Sequence, residues 1–173
     1  MRVDQPIMEA VGIQQPEQTL GEILISAGVV NPVVIEYALQ KQKIEGTSIG
    51  PLLVDLGFVS PRDIAKYLAV QRGIDFVDVS NLPEIQVDVA SAFNRNLCLT
   101  HGFLPLQRED DTLLVVLGDA FPAEVASIVQ RRLGLKVRCL QGEFQRVAQA
   151  IQEHYYFAEN PAERLIEIGR AHV

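Results

Sequence analysis

The sequence contains no tryptophan and only two cysteines among its 173 residues. Cys98 and Cys139 lie far apart and form no Cys-x-x-Cys pair, so neither a zinc motif nor a dithiol redox motif is indicated. No apolar run approaches the roughly 18 residues that span a bilayer, and the first residues lack the apolar segment of a secretory signal. We therefore expect a cytoplasmic protein with no membrane span and with buried thiols.

Basic residues are scarcer than acidic ones. There are 15 lysines and arginines against 22 aspartates and glutamates, which gives a formal net charge of -7. Such a chain has no overall basic field to attract the phosphates of a nucleic-acid polymer, so this class of partner is excluded. A small anionic ligand needs only a few local donors and is not excluded. The hydrophobic content of 48% favours a folded protein over a disordered one.

The sequence also lacks the common catalytic motifs. The P-loop pattern Gly-x-x-x-x-Gly-Lys-Ser/Thr is absent, as are Gly-x-Ser-x-Gly, His-Glu-x-x-His and Gly-x-Gly-x-x-Gly. The histidines at 101, 154 and 172 show no paired metal-binding spacing. The acidic run at 109–111 is more typical of a solvated hairpin tip than of a metal cluster. We therefore expect neither an enzyme nor a metal site in this chain.

The chain does contain a repeat. The segment LGEILISAGVVNPVVIEYALQKQ at 20–42 is followed by IGPLLVDLGFVSPRDIAKYLAVQ at 49–71. In each copy, apolar residues at helical spacing end at a glycine, Gly28 or Gly57, which is typical of a left-handed helix stop. An Asn-Pro or Ser-Pro pair then begins a second helix. The Asn or Ser side chain can accept hydrogen bonds from the unpaired first amides of the helix, and proline at the first helical position loses no hydrogen bond. Each copy therefore predicts a helix–turn–helix hairpin.

The apolar stripes of the two hairpins have two interpretations. They could pack on one another and form the interior of a helical lobe. Alternatively, they could leave a flat apolar surface on which glycines, lacking a Cβ, allow a ligand to approach the backbone. A ligand with two equivalent halves would suit such a pair of surfaces. The residues alone leave both interpretations open.

After Gln71 the pattern changes to mixed helix and strand. The predicted elements are a short strand at 76–79, a helix at 87–102, a β-hairpin whose tip is 109–111, an amphipathic helix at 122–134, a strand at 136–142 and a closing helix at 143–157. Asp119 lies where a strand leads into a helix, so it is either a helix cap or a ligand contact. The expected fold class is α+β: an N-terminal helical lobe of two repeated hairpins, then a small α/β lobe with a short mixed sheet.

These patterns divide the chain into four parts. They are a mobile lead-in at 1–16, a helical lobe with the two 24-residue motifs at 17–73, an α+β lobe at 74–157, and a helical tail or linker at 158–173.

The paired motif resembles the MshEN domain, which is the N-terminal domain of bacterial type II secretion and type IV pilus assembly ATPases. The shared pattern is aliphatic-Gly, two aliphatics, Gly, two aliphatics and a downstream Leu-x-x-Gln, occurring twice. The resemblance covers residues 17–157 and includes FLPLQREDDTLLVVLGDAF at 103–121, which looks like the family's hairpin followed by its Asp-containing turn. The resemblance implies that the two motifs cradle cyclic di-GMP, one motif for each guanine half, mainly through apolar side chains and backbone.

Carried onto this sequence, the resemblance implies a set of cyclic di-GMP-binding positions. From the first motif these are Leu20, Gly21, Leu24, Ile25, Gly28, Val29, Val30, Ile35, Leu39 and Gln42. From the second motif they are Ile49, Gly50, Leu53, Val54, Gly57, Phe58, Val59, Ile64, Leu68 and Gln71. Phe58 stands where the family prefers a smaller aliphatic residue. Asp119, from the turn, is expected to accept hydrogen bonds from a guanine edge.

The sequence departs from the family at one pair of positions. Members that bind cyclic di-GMP begin each motif with Arg-Leu-Gly, whereas this chain has Thr19 and Ser48 in place of those arginines. A hydroxyl does not reproduce the planar fork with which arginine binds phosphate and stacks on a base. Each lost charge-assisted contact costs about 1.5–3 kcal/mol. Arg72, Lys43 and Arg2 are candidate replacement donors.

Two functional hypotheses follow from the resemblance. The favoured one is a regulatory and docking module that couples a motor ATPase to the cytoplasmic domain of an inner-membrane platform protein, and is peripheral at that membrane through its partner. Exposed apolar residues of the helix containing SIVQRRLG or of the final helix are its candidate contacts. The alternative is an active receptor that binds one cyclic di-GMP across the two motifs; no other cofactor is expected.

Overall fold

The computed structural model describes residues 18–171, apart from the side chains at 164 and 171, so the predicted lead-in at 1–16 lies outside the described residues. The first four helices are α1 at Leu20–Ser26, α2 at Pro32–Glu45, α3 at Ile49–Asp55 and α4 at Pro61–Arg72. They form the two helix–turn–helix hairpins that the repeat predicts.

Side-chain caps explain where the second helix of each hairpin begins. The Asn31 side chain accepts a hydrogen bond from the Val34 amide at 3.0 Å, and Pro32 is the first helical residue. In the second copy, the Ser60 hydroxyl accepts from the Asp63 amide at 3.1 Å. The predicted cap and first-position proline are therefore confirmed in both copies.

The turns within the two hairpins have the same hydrogen bonds. Gly28 and Gly57 have φ angles of 72° and 77°, a left-handed conformation that glycine adopts without a Cβ penalty. The Gly28 amide donates to Ile25 O at 3.0 Å, and the next amide donates to Leu24 O at 3.0 Å. The equivalent bonds after Gly57 measure 2.9 and 3.0 Å. Both turns are Schellman motifs, so the sequence repeat is also a repeat of backbone geometry.

The remainder of the described chain builds the α+β part. Its elements are β1 at Asp75–Phe76, a 3₁₀ helix at Val79–Asn81, α5 at Val87–Ser91, α6 at Arg95–His101, β2 at Phe103–Glu109, β3 at Thr112–Leu117, α7 at Pro122–Leu133, β4 at Lys136–Gln141, α8 at Phe144–Glu159 and α9 at Pro161–Ala171. The sheet order is β1-β4-β3-β2, with β1 and β3 parallel to β4 and β2 antiparallel to β3. The predicted mixed sheet and α+β fold are confirmed.

Two predicted elements need correction. The helix expected at 87–102 is two helices, because the Asn94 side chain accepts from the Leu97 amide at 2.8 Å and caps a new start. The strand expected at 76–79 ends at Phe76, since the Asp78 side chain caps the 3₁₀ helix instead. In both places a side chain that binds the local backbone interrupts an otherwise continuous apolar pattern.

The buried side chains form two clusters, one in each part of the molecule. The largest fully buried side chains of the helical cluster are Leu24, Leu53 and Ile64. The second cluster lies between the sheet and its helices, and its largest fully buried members are Phe103, Leu104, Leu106, Leu113, Leu117 and Ile151. Helix α4 links the two parts, because it packs against β1, β4 and α8 as well as its own hairpins.

Candidate functional site

Half of the apolar positions carried over from the two motifs lie inside the helical lobe. The buried motif positions are Leu20, Gly21, Leu24, Val30, Ile35, Gly50, Leu53, Val59 and Ile64. The burial of these residues supports the first interpretation of the apolar stripes, in which the two hairpins pack on one another. Any ligand contact made by these positions would therefore need the lobe to open.

The first glycine of each motif allows the helices to pack closely. A methyl group built at Gly21 would lie 3.0 Å from Ile35 Cγ2, and one built at Gly50 would lie 3.1 Å from Ile64 Cγ2. The Gly50 methyl would also lie 3.7 Å from Leu20 Cδ2, so the start of α1 meets the start of α3. The absence of a side chain at these two positions therefore serves helix packing.

The other motif positions reach the surface wholly or in part. Exposed positions are Gly28, Val29, Leu39, Gly57, Phe58 and Asp119, and half-buried positions are Ile25, Gln42, Ile49, Val54, Leu68 and Gln71. A methyl group at Gly28 or Gly57 would meet no atom within 4 Å, so both turns border open space. These twelve positions are the ones that a ligand can reach without rearrangement of the lobe.

A surface groove runs between α1 and α4. It has a volume of about 610 Å³ and is lined by Gln18, Ile23, Ser26, Ala27, Val70 and Gln71. The Gln71 side chain donates to the backbone oxygen of Gln18 at 3.2 Å across it. Gln71 is therefore the motif residue that joins the end of the second copy to the start of the first.

The hydroxyls at positions 19 and 48 both have partners. Thr19 caps α1: its hydroxyl accepts from the Glu22 amide at 3.2 Å, and its own amide donates to Glu22 Oε2 at 2.8 Å. This reciprocal pair is a capping box. The Ser48 hydroxyl instead acts on the Asp119 carboxylate, which belongs to the other part of the molecule, and lowers its pKa. Neither residue supplies a cation, and each has a structural role.

Asp119 joins the two parts of the molecule and does not cap a helix. The N-cap of α7 is Phe121, which has no side-chain capping bond. Partial burial raises the pKa of the Asp119 carboxyl, while the Ser48 hydroxyl and the positive charge of Arg72 act in the opposite direction. Of the two interpretations of Asp119, a helix cap or a ligand contact, the helix cap is therefore wrong.

Arg72 is the positively charged residue that lies, with Asp119, between the helical lobe and the α+β part; we call this region the polar junction. Its Nη1 donates to Gln141 Oε1 at 2.6 Å, and its guanidinium carbon lies 5.6 Å from the centre of the Phe121 ring. Burial lowers the pKa of Arg72 to about 10, although the charge of Asp119 raises it. The guanidinium therefore remains protonated at neutral pH.

Gln141 fixes the position of Arg72 at the carboxyl ends of the parallel strands. The side chain of this last residue of β4 is fully buried, and its amide nitrogen lies 3.1, 2.9 and 3.0 Å from the carbonyl oxygens of Leu117, Gly118 and Gly142. The amide group therefore has its oxygen directed at the arginine. The sequence contains a signal that could have identified Gln141. Every second residue of β4 is buried, namely Val137, Cys139 and Gln141, so the alternation of the strand predicts that the Gln141 side chain points into the interior.

Within residues 18–171, α2 and α9 each carry at least three large apolar side chains that are exposed. On α2, Val33, Tyr37 and Ile44 are 73%, 51% and 85% exposed, and their spacing places them on one face. On α9, the exposed apolar residues are Leu165, Ile166 and Ile168. The helix containing SIVQRRLG differs from the expectation, because its Ile128 and Val129 are buried and its exposed residues include arginines.

The described residues, 18–171, offer neither a cluster of metal ligands nor a membrane-spanning helix. In this part of the chain, His, Cys, Asp and Glu side chains do not gather in groups of three that would hold a metal ion. None of its helices is both long enough and apolar enough to cross a bilayer.

The chain is similar to proteins of two kinds. It is 28% identical over 121 residues to bacteriophage adsorption protein B of Escherichia coli (strain K12), a match that covers 69% of this chain and 16% of that protein. It is 30% identical over 141 residues to the type IV pilus assembly ATPase PilB of Thermus thermophilus, covering 80% of this chain and 16% of the ATPase. The chain thus spans about a sixth of the length of these relatives.

Solved structures and a family model agree with this similarity. The structure of MshE with cdg covers 80% of this chain and 100% of its own, with a TM-score of 0.67 at 22% identity. A structure of the N-terminal domain of XpsE covers 79% and 96%, with a TM-score of 0.64 at 20% identity. These structural similarities show that the chain has the same fold as these two domains. The family model of the MshEN domain matches residues 72–161, and the chain therefore belongs to the MshEN domain family.

Proposed function

We propose that the chain is a non-catalytic regulatory and docking module that couples a motor ATPase to the cytoplasmic domain of an inner-membrane platform protein. In this role the module would lie in the cytoplasm and reach the membrane through its partner. The observation that carries the proposal is the apolar face of α2 formed by Val33, Tyr37 and Ile44. The similarity to pilus ATPases and to the XpsE N-terminal domain supports the choice of partner.

The α2 face has the character of a protein-binding surface. Its three large side chains project from one side of a helix whose other side, with Ile35 and Ala38, is already buried in the lobe. Large apolar residues gathered in one patch mark interaction sites more often than the same residues scattered singly. A tyrosine at the centre of the patch is also a residue type that often dominates binding energy.

The docking proposal predicts that polar substitutions on α2 weaken partner binding. The double variant Val33→Ser with Ile44→Ser should bind the platform protein's cytoplasmic domain about tenfold or more weakly, because fully burying a valine or isoleucine side chain contributes about 1.5–3 kcal/mol. Calorimetric titration of that domain with the chain measures the change. Val87→Ser, at a residue that is also 73% exposed, is the matched control. Equal affinities of the double variant and the unmodified chain would show that α2 is not the docking surface.

The second candidate function is a receptor for cyclic di-GMP, with one ligand held across the two motifs. The observation that favours it is the pair of identical glycine turns, which border open space in both copies. The fold likeness to MshE, whose structure contains cdg, the usual abbreviation of this nucleotide, supports the same ligand. Cyclic di-GMP has two equivalent halves, and the two turns are two equivalent backbone surfaces.

The receptor candidate predicts binding that depends on the glycine turns. Calorimetric titration with cyclic di-GMP should give one ligand per chain at a dissociation constant at or below about 10 μM, with GTP and ATP as controls. Gly28→Asp and Gly57→Asp should abolish binding without unfolding the chain. Their new side chains enter open space, the left-handed backbone costs only about 1–2 kcal/mol, and the added carboxylates repel phosphate.

Two outcomes would contradict this candidate in different ways. The absence of both heat and a thermal shift with cyclic di-GMP would exclude the receptor function. Retained binding in both aspartate variants would show that the ligand lies away from the turns.

A further inference from the structure

We infer that Arg72 and Phe121 supply the cationic and stacking contacts of the nucleotide site, in place of the arginines that positions 19 and 48 lack. This inference rests on the second candidate function, cyclic di-GMP binding, and assigns two residues to its site. The structure brings Arg72, at the end of the second motif, to within 5.6 Å of the ring centre of Phe121, which follows Asp119 by two positions. The charges of Arg72 and Asp119 also act on one another.

The Arg72 guanidinium is held in place by one hydrogen bond, and its other N–H groups can still donate to a ligand. Its bond to Gln141 at 2.6 Å uses one of the five N–H groups that an arginine carries. Gln141 is itself fixed by three backbone carbonyls, so the position of the guanidinium is set by the sheet. A pre-positioned arginine loses little side-chain entropy when it binds an anion, and its planar fork matches a phosphate.

Phe121 provides a flat surface beside this cation. The ring is 61% exposed, which is unusual for phenylalanine in the part of the chain that the structure describes, and its centre lies 5.6 Å from the Arg72 guanidinium carbon. Aromatic side chains next to cations are the common way in which proteins stack bases and hold their phosphates. The pair therefore suits a ligand that combines a planar base with a phosphate.

Asp119 favours guanine as that base. Its exposed carboxylate has two oxygens that accept hydrogen bonds. Guanine presents adjacent imino and amino donors on one edge, whereas adenine presents an amino donor beside an acceptor nitrogen. In residues 18–171, Arg72 and Asp119 interact through charge without a direct ion pair. A guanine nucleotide can thus engage the carboxylate with its base and the guanidinium with its phosphate.

The experiment compares two arginines of α4 that each lie beside a phenylalanine ring. The full chain and its variants are titrated with cyclic di-GMP by calorimetry, with cyclic di-AMP as the base control. Arg72→Gln should weaken binding about tenfold to a hundredfold, and Arg72→Lys should restore part of it because the charge remains. Arg62→Gln is the matched control: its guanidinium carbon lies 5.3 Å from the Phe76 ring centre, and its affinity should not change.

A second variant keeps the inference testable if Arg72→Gln does not fold. Phe121→Ala removes a largely exposed ring, so the chain should stay folded, and binding should weaken about tenfold because stacking of a base is worth about 1–3 kcal/mol. If the unmodified chain binds cyclic di-GMP and both variants bind equally well, the assignment of Arg72 and Phe121 is wrong while the receptor function stands. If the unmodified chain does not bind, both are wrong.

Discussion

Leu53→Ala is expected to lower the free energy of unfolding by about 2–5 kcal/mol. Leu53 is fully buried in the helical cluster, at the position of the second motif that corresponds to Leu24 in the first. Truncation removes several buried methyl and methylene groups and leaves a cavity between the hairpins. Because small domains have a total stability of only about 5–15 kcal/mol, the loss is a large share of it.

Chemical denaturation followed by circular dichroism measures this effect. Phe58→Ala is the matched control, since Phe58 is also an apolar residue of the second motif but is 44% exposed on the turn. Its stability should change by no more than about 0.5 kcal/mol. If Leu53→Ala were as stable as the unmodified chain, the motif leucines would not form the interior of the lobe.

This prediction separates two reasons why a motif substitution abolishes ligand binding. A change at a buried position such as Leu24 or Leu53 removes binding because the lobe loses its packing. A change at Gly28 or Gly57 leaves the packing intact and alters only the surface of the turn. Binding data on motif variants are therefore interpretable only beside their unfolding free energies.

Local signals in the sequence predicted the helical lobe well. Asn31 and Ser60 cap their helices as expected, and Gly28 and Gly57 end theirs in the left-handed conformation. Each of these features depends on residues within four or five positions of one another. A single sequence carries such information, because the capping bond and the backbone conformation are properties of the local segment.

The polar junction between the two parts could not be predicted in the same way. Arg72 and Gln141 are separated by 69 positions, and nothing in either local segment identifies the partner. The alternation of β4 indicates only that Gln141 points inward. Likewise, the proximity of Ser48 to Asp119 depends on how α3 and the turn after β3 meet in space. The sequence alone left Arg72 as one of three candidate donors. The structure places the Arg72 guanidinium against Gln141, whereas Lys43 is exposed on α2 and Arg2 lies outside the described residues.

Gln141→Leu is expected to lower the free energy of unfolding by about 2–5 kcal/mol, although leucine is apolar and similar in size. The substitution removes the donors to three backbone carbonyls and the acceptor for Arg72 at a fully buried position. A buried polar group that has lost its hydrogen-bond partner destabilises the folded state by its full desolvation free energy. Denaturation of Gln145→Leu, at an exposed glutamine of α8, provides the control and should show little change.

A double-mutant cycle shows how much of that loss belongs to Arg72. In Gln141→Leu alone the guanidinium is left half-buried without its acceptor, whereas in Arg72→Leu with Gln141→Leu no such charge remains. The double variant should therefore lose less stability than the sum of the two single variants, by about 0.5–3 kcal/mol. Simple additivity would mean that the 2.6 Å bond contributes nothing to stability. A measured coupling would establish that α4 and the sheet are held together through this pair, so that a ligand binding Arg72 acts on both parts at once.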